Sequence, residues 1–299
     1  GAGGRLDLHA DRAASAGAIG AFAGAAEAQR FLAFCGQAER VYRTLEGPYI
    51  RAPRPTLAGM ATALGPRGLA VLAGLGPFAT LWRALARHFH DPRLRQLFGR
   101  YATYCGSSPF AAPATLMLVA QVEMDGVWAV DGGMHALALA LAGLAERRGA
   151  RLRYGAPCER IVVERGRAAG VELAGGERLE ADAVVFNGDV AALGAGLLGA
   201  DAQRRAPPPA PRSLSAVTWA VHAPTEGFAL ARHNVFFTDD YAAEFRDIFR
   251  HGRLPRAGTV YVCAQDRGAG PEPPPGAPER LLCLLNAPAT GDTRPPTPA

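Results

Sequence analysis

The chain has 299 residues, 49% of them hydrophobic and 20% charged, which is enough apolar material for one large domain or two interleaved ones. The formal net charge of +5 does not make it a nucleic-acid binder: no lysine occurs, all 32 basic residues are arginine, and no basic stripe is interleaved with aromatics. Five cysteines, an odd number without C-x-x-C spacing, give neither a disulfide framework nor a zinc site. His88 and His90 are two apart, on different sides of a helix, and neither has a carboxylate at metal-ligand spacing.

Residues 1 to about 127 read as mostly helical. Ala18 to Leu45 is expected to be one helix with Ile19, Phe22, Ala26, Phe31, Phe34 and Val41 on its apolar face. Two uncharged stretches follow, Gly68 to Trp82 and Ala102 to Val122. Gly106, Pro109 and Pro113 interrupt the second, so neither half reaches the roughly 20 apolar residues of a membrane-crossing helix. It is expected to be buried or to lie at a membrane face.

Trp128 to Asp189 reads as one continuous unit. Gly132 and Gly133 open it, and a helix runs through Met134, Leu137, Leu141 and Leu144 until Arg147, Arg148 and Gly149 end it. Cys158 to Glu164 forms a strand, Arg165-Gly166-Arg167 turns it, Ala169 to Leu173 returns, and Gly175-Gly176 turns again. Ala183 to Phe186 is expected to be a buried strand ending at Asn187-Gly188-Asp189. Gly194 to Gly199, GAGLLG, matches G-x-G-x-x-G literally, but the four prolines of Asp201 to Arg212 leave no helix start expected there, and it does not read as a phosphate loop. From residue 213 the pattern is β: Ser215 to His222, Val235 to Thr238, Thr259 to Ala264 and Leu281 to Asn286, with a proline-rich loop at Gly270 to Pro278.

An aromatic residue and a GGM element (Trp128, Gly132-Gly133-Met134) lead into a helix. A strand (Cys158 to Ile161), a G-x-x-x-G-V turn (Gly166 to Val171) and the closing Ala181-Asp182 to Asp189 follow. In this combination the chain resembles the FAD-dependent phytoene-desaturase type within the amine-oxidase-like flavoproteins. Leu45 to Pro53, Phe98 to Ser107, Thr259 to Arg267 and Leu284 to Thr293 extend the resemblance over nearly the whole chain. They make it look like the bacterial 1-hydroxycarotenoid 3,4-desaturase (methoxyneurosporene dehydrogenase) branch.

The resemblance implies an α/β fold of mixed α+β content, in which part of an FAD/NAD(P)-binding-type domain, residues 128–199, is interleaved with a substrate domain. Residues 1–127 would supply its helices and membrane contact, and residues 200–299 its mixed sheet. It implies FAD as cofactor and a long acyclic carotenoid with a 1-hydroxy or 1-methoxy end as substrate. A C–C double bond forms as two hydrogens leave and FAD is reduced. Gly132, Gly133 and Met134 are then expected near the isoalloxazine, and the Cys158 backbone near the adenine. Asn187, Gly188 and Asp189 fall near the junction with the substrate domain, or alternatively cap the next helix. A substrate that partitions into lipid implies a peripheral position on the cytoplasmic side of a bacterial membrane, with Phe78, Leu81, Trp82, Phe110, Leu116 and Met117 as the expected membrane and polyene contacts.

The family's opening strand-GxGxxG-helix and its closing flavin segment have no counterpart here, so the chain reads as a fragment lacking both ends. There is no G-x-S-x-G elbow, no H-E-x-x-H and no carboxylate pair that spacing brings together. Catalytic side chains are therefore unassigned, as suits an enzyme whose chemistry the flavin carries. Two alternatives stay open: another branch of the superfamily (a phytoene desaturase, a carotenoid isomerase or an amine oxidase), and a non-catalytic lipid-binding fragment without FAD.

Overall fold

A computed structural model describes residues 4–76, 78–208, 211–268, 272–274 and 276–291. Gly1 to Gly3, parts of the loop at Gly270 to Pro278, and the end of the Leu284 to Thr293 match lie outside the described residues. The chain divides into two compact units, residues 1–129 with 213–299, and residues 130–212.

The first unit begins with α1 (Arg12–Ala23) and α2 (Ala25–Leu45), where one helix was expected. Gly24 stands between them at φ +97°, ψ 156°, a conformation that interrupts the helical ladder and turns the chain. Ile19, Phe31, Phe34 and Val41 are buried as anticipated; Ala26 faces out, and Glu27 beside it is buried, accepting from the His90 N–H at 3.1 Å. Next come α3 (Leu57–Gly74), α4 (Leu81–His88), α5 (Pro92–Gly99), a 3-10 stretch at Arg100–Cys105, another at Ala114–Leu118, and α6 (Val119–Asp125). Their core centres on Phe34, whose ring lies 5.2 Å from Phe89 and 4.9 Å from Phe98. Leu81, Leu85, Leu94 and Met117 fill the space around it, each worth about 1.5–3 kcal/mol of burial.

The helix α3 is the exception to this packing. Pro66, after Gly65 at φ +57°, kinks it, and among its described side chains Met60, Leu64, Val71 and Leu72 lean partly on the core. Among the described residues no helix is long and apolar enough to cross a membrane.

The second unit carries α7 (Gly133–Arg147), as anticipated from its spacing, but none of its residues is buried. Its apolar face of Met134, Leu137, Leu141 and Leu144 is exposed at 69%, 40%, 58% and 44%. β1 (Cys158–Glu164), β2 (Arg167–Leu173) and β3 (Arg178–Glu180) form an antiparallel sheet in that order. The third strand is thus the short return after Gly175-Gly176. Ala183 to Phe186 is no strand: it pairs with none of the described strands, and Val185 is 91% exposed. An apolar run of this kind becomes a strand only when neighbouring edges take up its N–H and C=O groups.

Two short helices close the unit, α8 (Val190–Gly194) and α9 (Ala200–Gln203). The prolines after GAGLLG begin at Pro207, leaving room for the single turn of α9 that the sequence did not promise. The loop is nonetheless closed to a phosphate. The Gln203 amide donates to the Gly194 carbonyl at 3.0 Å, its side chain lies over Gly196, and the Ile161 N–H of β1 donates to the Leu198 carbonyl at 3.1 Å.

Returning to the first unit, β4 (Ser215–Pro224), β5 (His233–Phe236), β6 (Val260–Ala264) and β7 (Pro278–Ala287) form a second sheet of order β4-β7-β6-β5. The sheet expected to be mixed is antiparallel at every described pairing. β6 and β7 follow each other through a loop that reverses the chain, whereas a parallel pair needs a crossover. Between β5 and β6 lies α10 (Tyr241–Phe249), absent from the sequence reading. Asp240 caps it, accepting from the Ala243 N–H at 2.9 Å, and Tyr241, Phe245 and Ile248 turn inward at i, i+4 and i+7. Glu244 of α10 is fully buried yet satisfied: it accepts from the Thr259 N–H and hydroxyl at 3.0 and 2.6 Å and from the Asn286 amide at 3.1 Å, tying α10 to the sheet.

Candidate functional site

In the second unit Gly132 and Gly133 both adopt left-handed backbone, φ +76° and +78°, as α7 begins. The Gly133 N–H donates to the Val130 carbonyl at 2.8 Å, which closes the turn. A Cβ added at Gly133 would meet nothing within 4 Å, and no side chain caps the helix, so the backbone here is open to close approach by a flat group. Met134 projects outward from the same turn. Cys158 opens β1 opposite Leu173, with its thiol exposed and near the Arg160 carbonyl at 3.6 Å. Asn187 and Gly188 are exposed, and the Asp189 carboxylate accepts from the Ala191 N–H at 2.8 Å, which makes it the N-cap of α8. No described hydrogen bond joins these three segments to one another.

In the first unit the six residues expected to meet a membrane or polyene separate into four groups. Phe78 is fully exposed and held at φ +59°, rare for an aromatic residue. Leu81 and Met117 are withdrawn from any outward role: both have no exposure at all and pack in the helical core, because α4 presents Leu81 with Ala84 and Leu85 on its inner face. Leu116 leans partly on that core. Trp82 and Phe110 come together, ring centroids 4.8 Å apart, because the Trp82 N–H donates to the Pro109 carbonyl at 3.0 Å. Tyr241 joins them 6.2 Å from Trp82, and Phe245 lies 6.1 Å from Phe110.

Beside this aromatic group lies a polar one that the sequence reading did not single out as a site. The Tyr101 and Tyr104 hydroxyls donate to the two oxygens of Glu123 at 2.7 and 3.2 Å. Burial first, then the Glu123 charge, pushes both phenols up. Tyr261 of β6 shares a hydrogen bond with His233 Nδ1 at 2.7 Å, and the Arg100 guanidinium sits 5.6 Å above the Tyr261 ring. Burial raises the Tyr261 phenol and lowers His233. The two segments that meet here, Phe98 to Ser107 and Thr259 to Arg267, were each legible as matches, but nothing in their spacing announced that they touch. No group of described His, Cys, Asp and Glu residues is arranged to hold a metal.

Comparison with known proteins covers the stretch that holds the turn, helix and hairpin of the second unit. The profile of flavin containing amine oxidoreductases matches residues 72–229, more than half of the chain. The chain belongs to that family. It is 66% identical over 297 residues to the hydroxyneurosporene desaturase of Rubrivivax gelatinosus, covering 97% of this chain and 56% of the relative. It is 48% identical over 297 residues to the hydroxyneurosporene desaturase of Cereibacter sphaeroides, covering 98% and 59%. With the zeta-carotene-forming phytoene desaturase of Myxococcus xanthus identity is 35% over 261 residues, covering 87% and 50%. The chain therefore spans little more than half the length of the curated relatives it matches.

Proposed function

We propose that the gene product carrying this chain is an FAD-dependent carotenoid desaturase acting on an acyclic polyene with a hydroxylated or methoxylated end. The observation that carries this reading is the identity of 66%, 48% and 45%, over nearly all of the chain, to three proteins named hydroxyneurosporene desaturase. The residues of the second unit fit a flavin in part. Gly132 and Gly133 offer open left-handed backbone at an uncapped helix start, whereas GAGLLG is filled by Gln203 and holds no pyrophosphate. Bound FAD would take up the two hydrogens that leave the polyene as the new double bond forms. The chain's own contribution is then approach and orientation: the Gly132-Gly133 backbone beside the flat ring system, and aromatic surface such as Trp82 and Phe110 along a substrate that has almost no hydrogen-bonding groups.

The test uses the complete gene product. It should purify with flavin absorbance at about 450 nm and shift the absorption of an added hydroxylated acyclic carotenoid to longer wavelength as conjugation extends. Flavin-loaded protein that leaves such a polyene unchanged would refute the reading. Gly133→Val should lower flavin occupancy, since the open approach is removed and φ +78° disfavours a β-branched residue.

The second part of the proposal is delivery from a membrane, with the protein peripheral on the cytoplasmic face of a bacterial membrane. Phe78 at the tip of the α3–α4 connection, fully exposed, and α3, apolar but unburied, support it. The complete protein should float with liposomes. Phe78→Ser should weaken flotation without lowering the melting temperature, because that side chain makes no packing contact to lose.

A further inference from the structure

The polar group beside the aromatic cluster contains two unsatisfied members. The Arg100 Nη1 atom and the Tyr241 hydroxyl are buried and have no hydrogen-bond partner. Tyr241 is only 5% exposed. Leaving such groups unpaired is costly, and native structures seldom do so without a reason. The nearby carboxylates are already committed: Glu123 to Tyr101 and Tyr104, Glu244 to Thr259 and Asn286. Arg100 forms no ion pair among the described residues, yet its charge is felt at three phenols, those of Tyr104, Tyr241 and Tyr261. The Arg100 guanidinium lies 5.6 Å over the Tyr261 ring, and the orphaned Tyr241 packs against the wall made by Trp82 and Phe110.

We propose that Arg100 and the Tyr241 hydroxyl bind the oxygen at the end of the polyene, and that this pair determines preference for an oxygenated substrate. The inference rests on the desaturase reading above. A hydroxyl or ether oxygen is neutral and small. It accepts from Arg100, and a hydroxyl also exchanges a hydrogen bond with Tyr241, so an oxygenated end supplies what both orphans lack. The rings of Trp82, Phe110 and Tyr261 suit the hydrocarbon that follows it. A site built to hydrogen-bond an oxygen rejects the analogue lacking it far more strongly than an apolar pocket rejects an extra methylene, because the buried polar groups are then left unpaired.

The experiment compares kcat/KM of the complete gene product for two acyclic polyenes of equal length, one with a terminal tertiary hydroxyl and one without. The wild type should favour the hydroxylated polyene. Tyr241→Phe deletes only the hydroxyl and should reduce that preference about tenfold, the loss of one hydrogen bond. Arg100→Gln should reduce it further. If Tyr241→Phe were merely the removal of an unpaired internal hydroxyl, the melting temperature would hold or rise and the preference ratio would stay the same. That result overturns the proposal and leaves the desaturase reading standing. A flavin-loaded wild type that converts neither polyene overturns both. Should Arg100→Gln fail to fold, the Tyr241→Phe ratio decides.

Discussion

A Cβ added at Gly170 would lie 2.2 Å from the Leu179 carbonyl oxygen, a backbone atom that cannot move aside without breaking the β2–β3 pairing. Gly170 also sits at φ +153°. Gly170→Ala should therefore destabilise the second unit by about 1–3 kcal/mol, measured as a shift of its denaturation midpoint. Gly166, in the hairpin turn at φ +82° with only a flexible arginine tip nearby, should tolerate alanine at a cost nearer 1 kcal/mol. The two glycines of the G-x-x-x-G-V match are thus required for different reasons, one for a turn and one for a close strand approach. The turn was legible in the sequence; the approach was not, because it depends on where β3 lies. Cys158 illustrates the same limit. Its place at the start of β1 could be read from the pattern, but a role toward the cofactor would reside in its backbone. In the complete gene product Cys158→Val should keep flavin and Cys158→Pro should lose it; retained flavin in the proline variant would remove Cys158 from the site.

At the level of elements, Asn187-Gly188-Asp189 had two readings, and the Asp189 carboxylate is seen capping α8. Asp189→Ala should lower the stability of the second unit by about 1 kcal/mol, the usual value of an N-cap. Normal flavin content in that variant would leave the cap as its whole role, whereas flavin lost at unchanged stability would place the residue at the cofactor. Elements with strong periodicity or tight turns, such as α7 and the β1–β2 hairpin, could be read directly from residue order. Those that failed share one cause. Gly24 looked tolerable inside a helix because a single glycine often is, and only its backbone angles reveal the break. Ala183 to Phe186 has the composition of a strand, but a strand is a relation between segments. α10 went unread because its inward residues are few and its cap, Asp240, follows another aspartate, so the signal resembled a polar loop.

On the scale of the molecule, the larger unit has an acid-sensitive clasp. Glu279, 3% exposed at the start of β7, is held at about 2 by the Arg267 guanidinium, with Thr225 adding a further hydrogen bond, against an ordinary value of 4.5. Because the folded state holds this carboxyl below its unfolded value, its stabilisation is complete above about pH 4.5 and is lost as pH falls toward about 2. Acid unfolding of the first unit should therefore steepen in that window. Glu279→Gln should flatten this part of the profile and lower stability at neutral pH, where Arg267 is left without its carboxylate; an unchanged acid limb would show that the pair contributes nothing.

The uncovered face of α7 turns a single leucine into a measuring device. Leu141 is 58% exposed, so in this chain alone Leu141→Ser removes less than half of a leucine's surface from cover and should shift thermal unfolding only slightly. In the complete gene product the same substitution costs about 2 kcal/mol or more if flanking sequence closes over that face, and nothing if it does not. Subtracting one melting curve from the other would weigh, in free energy, a contact that neither preparation reveals by itself.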